Sequence, residues 1–311
     1  MSRLADATAI LIAGPTASGK SGLALVVAER IGGVVINADS MQVYRELAIL
    51  TARPSEADLA RAPHALYGFV SGAEAYSAGR YAVDAANAIA EARAQGRMPI
   101  IVGGTGLYFK ALLEGLSPLP PADPHVRAYW RGQAAERPAP ELHALLAERD
   151  PEMAARLMPT DPQRIVRALE VLESTGRSLA DWQREPGTPV LAENDTVRLL
   201  VLPDRDTVGS RIDARFDAML AEGAIEEVRR LLAFGFSDEL PIMRALGVAQ
   251  LAAHVRRELQ LDAAAAAAKT ETRQYAKRQA TWLRRNMRSW MAIQSQQMER
   301  IAAGDLSLIE A

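Results

Sequence analysis

Residues 14–21, GPTASGKS, match the pattern G-x-x-x-x-G-K-[ST] in full and restrict the fold of this chain more than any other feature. The apolar run TAILIA precedes them, and SGLALVVAER, with apolar residues at helical spacing, follows. Strand, glycine loop and helix in this order bind phosphate, because the loop amides and the helix N-terminus form an anion nest. A structural glycine turn is the weaker alternative. The predicted phosphate-binding residues are Gly14, Pro15, Thr16, Ala17, Ser18, Gly19, Lys20 and Ser21.

Within this loop, two side chains have distinct predicted roles. Lys20 supplies a positive charge, and the Ser21 hydroxyl is placed to bind Mg²⁺. The motif does not identify the reaction, because the same loop can present ATP for attack or hold a diphosphate that is about to leave.

Other strand ends carry polar or glycine-rich segments. NADSMQVYR follows a predicted strand at 34–36, GGTGLYFKALL follows one at 99–102, and a fourth strand is predicted at 197–202. Parallel α/β sheets bind ligands at the carboxyl ends of their strands, so these segments should face the same crevice as the glycine loop. The predicted fold class is therefore α/β, with a parallel sheet.

Asp39 and Thr105 join Lys20 as candidate catalytic residues. An Asp directly after a buried strand, beside a phosphate loop, suits a catalyst or metal ligand, although Asp-Ser pairs are also common turn caps. Ser40 and Gln42 bring hydrogen-bonding groups to the same rim. Thr105 lies in a turn that could be purely structural, but the strand before it and the helix after it favour a hydroxyl directed into the crevice.

A helical insertion is predicted within the α/β core. Prolines mark its entry at 118–124 and its exit at 186–189, and its interior lacks strand alternation. The core is assigned to residues 1–117 and 197–311, and the insertion to residues 118–196. Its clearest helix is DPQRIVRALEVLESTG, with Asp161 as N-cap and Gly176 at its end.

Composition excludes several classes of function. Without cysteine, and with four scattered histidines, the chain forms neither disulfides nor thiolate zinc sites, so any metal is bound by oxygen. The N-terminal apolar run is far shorter than the ~20 residues of a membrane span. A cytoplasmic protein with no membrane partner is expected.

The C-terminal third is locally basic. Residues 269–288 contain seven basic residues and one acidic residue, in a chain of formal net charge −2. Five of them share one side of a predicted helix, with three aromatic residues interleaved. These are Lys269, Arg273, Lys277, Arg284 and Arg288, with Tyr275, Trp282 and Trp290. A charge run is often a solvated face, but the sign bias, with Gln163, Arg164 and Arg167 in the insertion, favours a surface that binds RNA.

Seven segments together resemble a known family. They are GPTASGKS, ADSMQVYR, GGTGLYFKALL, DPQRIVRALEV, RIDARFDAMLAEGAIEEV, MRALG and YAKRQATWLRR. In this order they resemble the bacterial tRNA dimethylallyltransferases (tRNA isopentenyltransferases) over nearly the whole chain. The resemblance implies a P-loop NTPase-like core and transfer of a dimethylallyl group from dimethylallyl diphosphate to N6 of the adenosine 3′-adjacent to the anticodon, in tRNAs reading codons that begin with U. It also implies diphosphate as product and a need for Mg²⁺.

The resemblance implies a role for each matching residue. Residues 14–21 and Arg215 would bind the diphosphate, Asp39 would be the general base, and Thr105 would orient the reacting groups. The implied tRNA contacts are Asp39, Ser40, Met41, Gln42, Thr105, Arg127, Gln163, Arg164, Ile165, Val166, Arg167, Arg244, Ala245, Leu246, Gly247, Val248, Ala249, Lys277, Arg278, Gln279, Ala280, Thr281, Trp282, Leu283 and Arg284. Val248 departs from the family, which often has Tyr there.

Two other functions fit parts of the sequence. A P-loop small-molecule or nucleotide kinase would share the loop and the strand-end Asp, but it has no use for a basic, aromatic C-terminal helix. A non-catalytic RNA-binding ATPase switch would show ATP-dependent RNA affinity without covalent change in the RNA. The transferase is expected to be a monomer.

Overall fold

A computed structural model describes residue 4, residues 6–302, and residues 305 and 307. The chain divides into two compact units, a core of Met1–Leu113 with Val190–Ala311 and an insertion of Glu114–Pro189. The predicted insertion, 118–196, starts and ends later than this unit. Residues 190 and 191 belong to the core because their amides donate to the Leu112 carbonyl at 2.8 and 3.0 Å.

The first part of the core alternates strands and helices. Its elements are β1 (Ala9–Ala13), α1 (Lys20–Ile31), β2 (Val34–Asn37), α2 (Glu56–Arg61), β3 (His64–Ala65), α3 (Ala78–Ala94), β4 (Pro99–Gly103) and α4 (Gly106–Leu113). β1, β2 and β4 are buried along their whole length, which explains why they read as continuous apolar runs in the sequence.

The insertion is entirely helical. It contains α5 (Pro124–Glu136), α6 (Ala139–Arg149), α7 (Pro151–Arg156), α8 (Pro162–Thr175) and α9 (Leu179–Trp182). α8 begins and ends as predicted, since the Asp161 carboxylate accepts the Arg164 amide and Gly176 adopts a left-handed conformation with φ 68°. The insertion has its own apolar core around Trp130, Leu142 and Leu169.

Besides two short 3-10 turns at 193–195 and 241–244, the described residues of the last part of the core add two strands and five α-helices. They are β5 (Thr196–Val201), α10 (Arg205–Ala221), α11 (Ala224–Ala233), α12 (Val248–Val255), α13 (Leu261–Asn286), β6 (Met291–Ile293) and α14 (Ser295–Ala302). The alanine-rich run lies inside α13, with Ala264 and Ala268 buried. α13 ends at Asn286, so Arg288, predicted on the same helix face, lies beyond it. Trp290 is buried and packs edge-on against Phe109, with ring centroids 5.3 Å apart.

All six strands form one parallel sheet in the order β3-β2-β4-β1-β5-β6, which confirms the predicted fold class. β1 lies between β4 and β5, and successive residues of β1 pack into separate apolar cores on the two faces, Leu11 on one and Ile12 on the other. The carboxyl ends of β1, β2 and β4 therefore lie side by side. The glycine loop (14–21), the Asp39 segment (37–45) and the Thr105 turn (103–106) begin at these ends. In the part of the chain that the structure describes, no helix is both long and apolar enough to span a membrane.

Candidate active site

The glycine loop leads from the end of β1 into α1. Ala17 and Gly19 both have positive φ, 61° and 91°, which turns successive amides toward one side of the loop. No described residue accepts a hydrogen bond from the amides of Ala17, Gly19, Lys20, Ser21 or Gly22. The loop therefore presents several open donors together with a helix N-terminus, an arrangement that binds an anion.

Lys20 is the first residue of α1 and lies partly buried at the end of the loop. Its ammonium donates to the Pro15 carbonyl at 3.2 Å. Burial lowers the pKa of Lys20 to about 8, the charge of Asp39 acts in the opposite direction, and Arg215 lowers the pKa further. The three predicted residues thus lie within electrostatic range of one another, and an incoming anion would favour the protonated lysine.

Two arginines of α10 contact the loop. Arg215 donates to the Thr16 hydroxyl, and Arg211, one turn earlier, donates to the Ser18 carbonyl at 3.2 Å. Burial lowers the pKa of Arg215, with Asp39 opposing the shift. Arg215 was predicted at the diphosphate site, whereas Arg211 was not, although the i, i+4 spacing of the two arginines on a predicted helix was the available signal.

Asp39 forms the turn cap considered for it and leaves one carboxylate oxygen unbonded by the described residues. Its Oδ1 accepts the Met41 amide at 2.9 Å, a local turn cap, whereas no described residue donates a hydrogen bond to its Oδ2. The buried Asn37 fixes the backbone, accepting the Asp39 amide at 2.8 Å and donating to the Asp39 carbonyl at 2.9 Å. One carboxylate oxygen is therefore held by the turn while the other is available to a substrate.

Thr105 connects the Asp39 segment to the end of β4. Its hydroxyl accepts the Ser40 amide at 3.0 Å. Only glycine fits at position 103, because a Cβ there would lie 2.0 Å from the Ala38 carbonyl oxygen. Gln42 donates through its side-chain nitrogen to the Thr51 and Ala52 carbonyls at 2.8 and 2.9 Å, so this nitrogen is occupied by the protein and is not free to read a base.

Three tyrosines lie within electrostatic range of Asp39. Tyr275 was expected among the aromatic residues of the basic helix, whereas Tyr67 and Tyr108 were not predicted. Burial raises the pKa of Tyr67, Tyr108 and Tyr275, the last to about 12, and the negative charge of Asp39 adds to each shift. Tyr108 lies one helical turn after Thr105. Its buried hydroxyl has no hydrogen-bond partner among the described residues. Asp39 thus has tyrosine side chains as well as the cations Lys20 and Arg215 within electrostatic range.

Glu227 and Gln279 are buried polar residues that also support the site. The Glu227 carboxylate accepts three consecutive amides in the loop after β2, those of Ala48, Ile49 and Leu50, at 2.7, 2.8 and 2.9 Å. The Gln279 side chain reaches the glycine loop from α13. Glu227 was not predicted at all, and Gln279 was predicted only as a tRNA contact.

The basic residues of α13 fall into two groups. Lys269 pairs with Asp217 at 2.6 Å, and Arg273 pairs with Asp213, so both join α13 to α10. Lys277, Arg278, Arg284 and Arg285 are exposed, and no carboxylate in the described chain pairs with them. Because Lys269 and Arg273 are paired with α10, the unpaired part of the predicted basic face is limited to the C-terminal half of α13.

Exposure also divides the predicted tRNA contacts. The side chains of Arg127, Gln163, Arg164, Arg244, Ala249, Lys277, Arg278, Thr281 and Arg284 are exposed, and those of Asp39, Ser40, Met41, Gln42, Thr105, Arg167, Leu246, Ala280 and Trp282 are partly exposed. Ile165, Val166, Ala245, Gly247, Val248, Gln279 and Leu283 are buried. The buried side chains pack inside the protein and do not form part of an RNA-binding surface. A Tyr in place of Val248 would have to fit the same buried position.

The oxygen ligands available for a cation are few. No group of three or more His, Asp or Glu residues in the described ranges could hold a metal ion. Ser21 is exposed at the start of α1, and no described residue hydrogen-bonds its hydroxyl. Such a site fits Mg²⁺ that is bound mainly by phosphate oxygens of a ligand, with a single hydroxyl from the protein.

Comparison with known proteins decides the family. The family model described as IPP transferase matches residues 42–286, and a model described as isopentenyl transferase matches residues 7–66. The chain belongs to the IPP transferase family. Similar proteins named tRNA dimethylallyltransferase occur in Parvibaculum lavamentivorans, 51% identical over 97% of this chain and 96% of the relative, and in Nitrobacter hamburgensis, 55% identical over 90% and 89%.

Solved structures of IPP transferases support this membership. The full-length tRNA isopentenylpyrophosphate transferase of Bacillus halodurans is 29% identical, with a TM-score of 0.68 over 97% of this chain and 96% of that one. A eukaryotic dimethylallyltransferase acting on tRNA is 26% identical, with a TM-score of 0.80 over 96% and 77%. IPP transferase membership favours a prenyl transferase over the kinase alternative.

Proposed function

We propose that this chain transfers the dimethylallyl group of dimethylallyl diphosphate to N6 of the adenosine 3′-adjacent to the anticodon, in tRNAs reading codons that begin with U. The observation that carries the proposal is a phosphate loop with open amides, next to Lys20 and Arg215, within electrostatic range of an Asp39 carboxylate that keeps one oxygen free. An anion site and a base side by side suit a reaction in which diphosphate leaves as an amine attacks.

The donor end of the site stabilises the leaving group. As the bond between the prenyl carbon and the diphosphate oxygen breaks, its electron pair stays on the diphosphate. The loop amides, Lys20 and Arg215 meet that charge with fixed donors, which cost no reorganisation in the transition state. Arg211 and Arg215 would hold the loop in the conformation that presents its amides.

The acceptor end activates a poor nucleophile. The lone pair of the adenine amine is delocalised into the ring, so attack is helped by a carboxylate that accepts an N–H proton as the new carbon–nitrogen bond forms. Asp39 Oδ2 is the available acceptor, and the proton passes to it. Thr105, through Ser40, would hold the Asp39 segment in place.

Mg²⁺ fits the donor end of this site. The Ser21 hydroxyl would hold it together with diphosphate oxygens, and the ion would add positive charge where the leaving group develops negative charge. The loop amides, Lys20 and Arg215 would supply the rest of the charge stabilisation.

Each unit carries exposed basic residues that are proposed to bind tRNA. On the core these are Lys277, Arg278 and Arg284 of α13, and on the insertion they are Arg127 and Arg164. Phosphate contacts of this kind add affinity without reading sequence, so the anticodon loop must be selected by base contacts near Asp39. The proposed enzyme is a monomer that acts on the anticodon stem-loop in the cytoplasm.

A transfer assay tests this function. The protein is incubated with labelled dimethylallyl diphosphate, Mg²⁺ and tRNA in the absence of ATP. Label in the RNA, in a reaction that needs no ATP, is the expected result. Transfer of γ-phosphate from ATP without prenylation would support a kinase, and ATP-dependent RNA binding without covalent change would support a switch.

A further inference from the structure

Gln279 connects two segments of the active site through a buried side chain. It lies on α13 with 8% of its surface exposed. Its Oε1 accepts the Thr16 amide of the phosphate loop at 2.9 Å, and its Nε2 donates to the Gly104 carbonyl at 3.0 Å. Two loops that are far apart in sequence therefore share one side chain.

Both polar ends of the Gln279 amide are needed for this link. A glutamine side chain is at once a donor and an acceptor, which neither a carboxylate nor an apolar side chain of similar length can match. Residue 104 must be glycine for the link to form, because a Cβ there would lie 2.3 Å from Gln279 Nε2. The site thus depends on a matched pair, Gln279 and Gly104.

The bonds of Gln279 continue to both ends of the proposed reaction. Thr16 is held twice, through its amide by Gln279 and through its hydroxyl by Arg215. On the other side, Gly104 precedes Thr105, whose hydroxyl accepts the Ser40 amide. Ser40 directly follows Asp39 in the chain. Gln279 thus stands between the segment that would bind diphosphate and the segment that would carry the base.

We infer that Gln279 is a positioning residue that fixes the phosphate loop relative to the Asp39 segment. The hydrogen bonds of Gln279 support its role in holding the phosphate loop. The expected effect of Gln279 on turnover rests on the proposed function. Because the side chain is buried and both of its polar atoms are occupied, Gln279 does not make the tRNA contact expected from the resemblance.

Replacement of Gln279 by Met tests the link. Met has a similar length and makes neither bond, so it leaves the Thr16 amide and the Gly104 carbonyl unpaired. Binding of inorganic diphosphate should weaken about 5- to 100-fold, kcat should fall, and tRNA affinity should stay within about twofold. Gln274→Met is the matched control, because Gln274 is exposed on the same helix, and it should leave diphosphate affinity unchanged.

Replacement of Gln279 by Glu adds a readout that packing alone would not change. The ionised carboxylate cannot donate to the Gly104 carbonyl and repels diphosphate, whereas the protonated carboxyl again has one donor and one acceptor. A buried Glu titrates above its ordinary range. Diphosphate affinity of Gln279→Glu, divided by that of the unmodified protein at each pH, should therefore recover as the pH falls from ~8.5 to ~6.

Two results would overturn the inference. One is unchanged diphosphate affinity in Gln279→Met, and the other is a pH-independent affinity ratio in Gln279→Glu. Diphosphate binding is measured without tRNA or transfer. If diphosphate affinity depends on Gln279 as expected but the protein does not prenylate tRNA, the proposed function is refuted and this inference stands.

Discussion

Replacement of Glu227 by Gln should destabilise the core far more than an ordinary surface substitution. Glu227 is 3% exposed, and its two carboxylate oxygens accept three backbone amides at 2.7 to 2.9 Å. A Gln oxygen can replace Oε1, which accepts two of the amides. The Gln nitrogen would face the Leu50 amide, donor against donor, and leave it unpaired.

The magnitude follows from these bonds. Two charge-assisted hydrogen bonds become neutral ones, at about 1 kcal/mol each, and one buried amide loses its partner, at about 1–3 kcal/mol. The free energy of unfolding should fall by about 3–5 kcal/mol. For a unit of ~150–250 residues this corresponds to a decrease in Tm of about 6–20 °C.

Thermal unfolding followed by circular dichroism measures this change. The matched control is Glu226→Gln, since Glu226 is the exposed neighbour on α11 and its ion pair within the described residues is with Arg229, at 3.4 Å. Its Tm should change by no more than about 2 °C. Equal shifts in the two variants would refute the reasoning that the three amides make Glu227 special.

Three further experiments probe the site and the proposed tRNA-binding residues. Asp39→Ala should lower kcat by about 10²- to 10⁴-fold with tRNA affinity retained, measured by single-turnover transfer and filter binding, and an unchanged kcat would exclude the general base. Affinity for diphosphate should fall as the pH rises through about 8, where Lys20 loses its proton, and titration calorimetry should show proton uptake on binding near that pH. Lys277→Ala and Arg284→Ala should each weaken tRNA binding and reduce the salt dependence of log K by about 0.7–0.9, whereas Lys269→Ala should not, because Lys269 is paired with Asp217.

Local sequence signals predicted the position of the glycine loop between a strand and a helix. The glycine loop is a continuous motif between a strand and a helix, and strands β1, β2, β4 and β5 are mostly apolar runs of four to six residues. β3 has two residues and β6 has three, too few for a period to be recognised in the sequence. The apolar runs explain why the α/β class could be predicted while the edges of the sheet were missed.

Long-range contacts explain what the sequence did not predict. Gln279 meets Thr16 across 263 residues of chain, a pairing that no spacing rule indicates. Arg273 was assigned to an RNA surface because its spacing fits, but its partner, Asp213, lies on another helix. Glu227 could have been found, because on α11 it shares a face with the apolar Ala224 and Leu231, three residues before it and four after it, and such a face is buried.

The central claim is tested most directly by locating the modification in the RNA. Two tRNAs are compared, one with adenosine 3′-adjacent to the anticodon and one with guanosine there, each incubated with the protein, dimethylallyl diphosphate and Mg²⁺. Digestion and mass spectrometry should show one added C5H8 unit on N6 of that adenosine and none in the guanosine variant. No added mass on the adenosine, or equal modification of both tRNAs, would contradict the account.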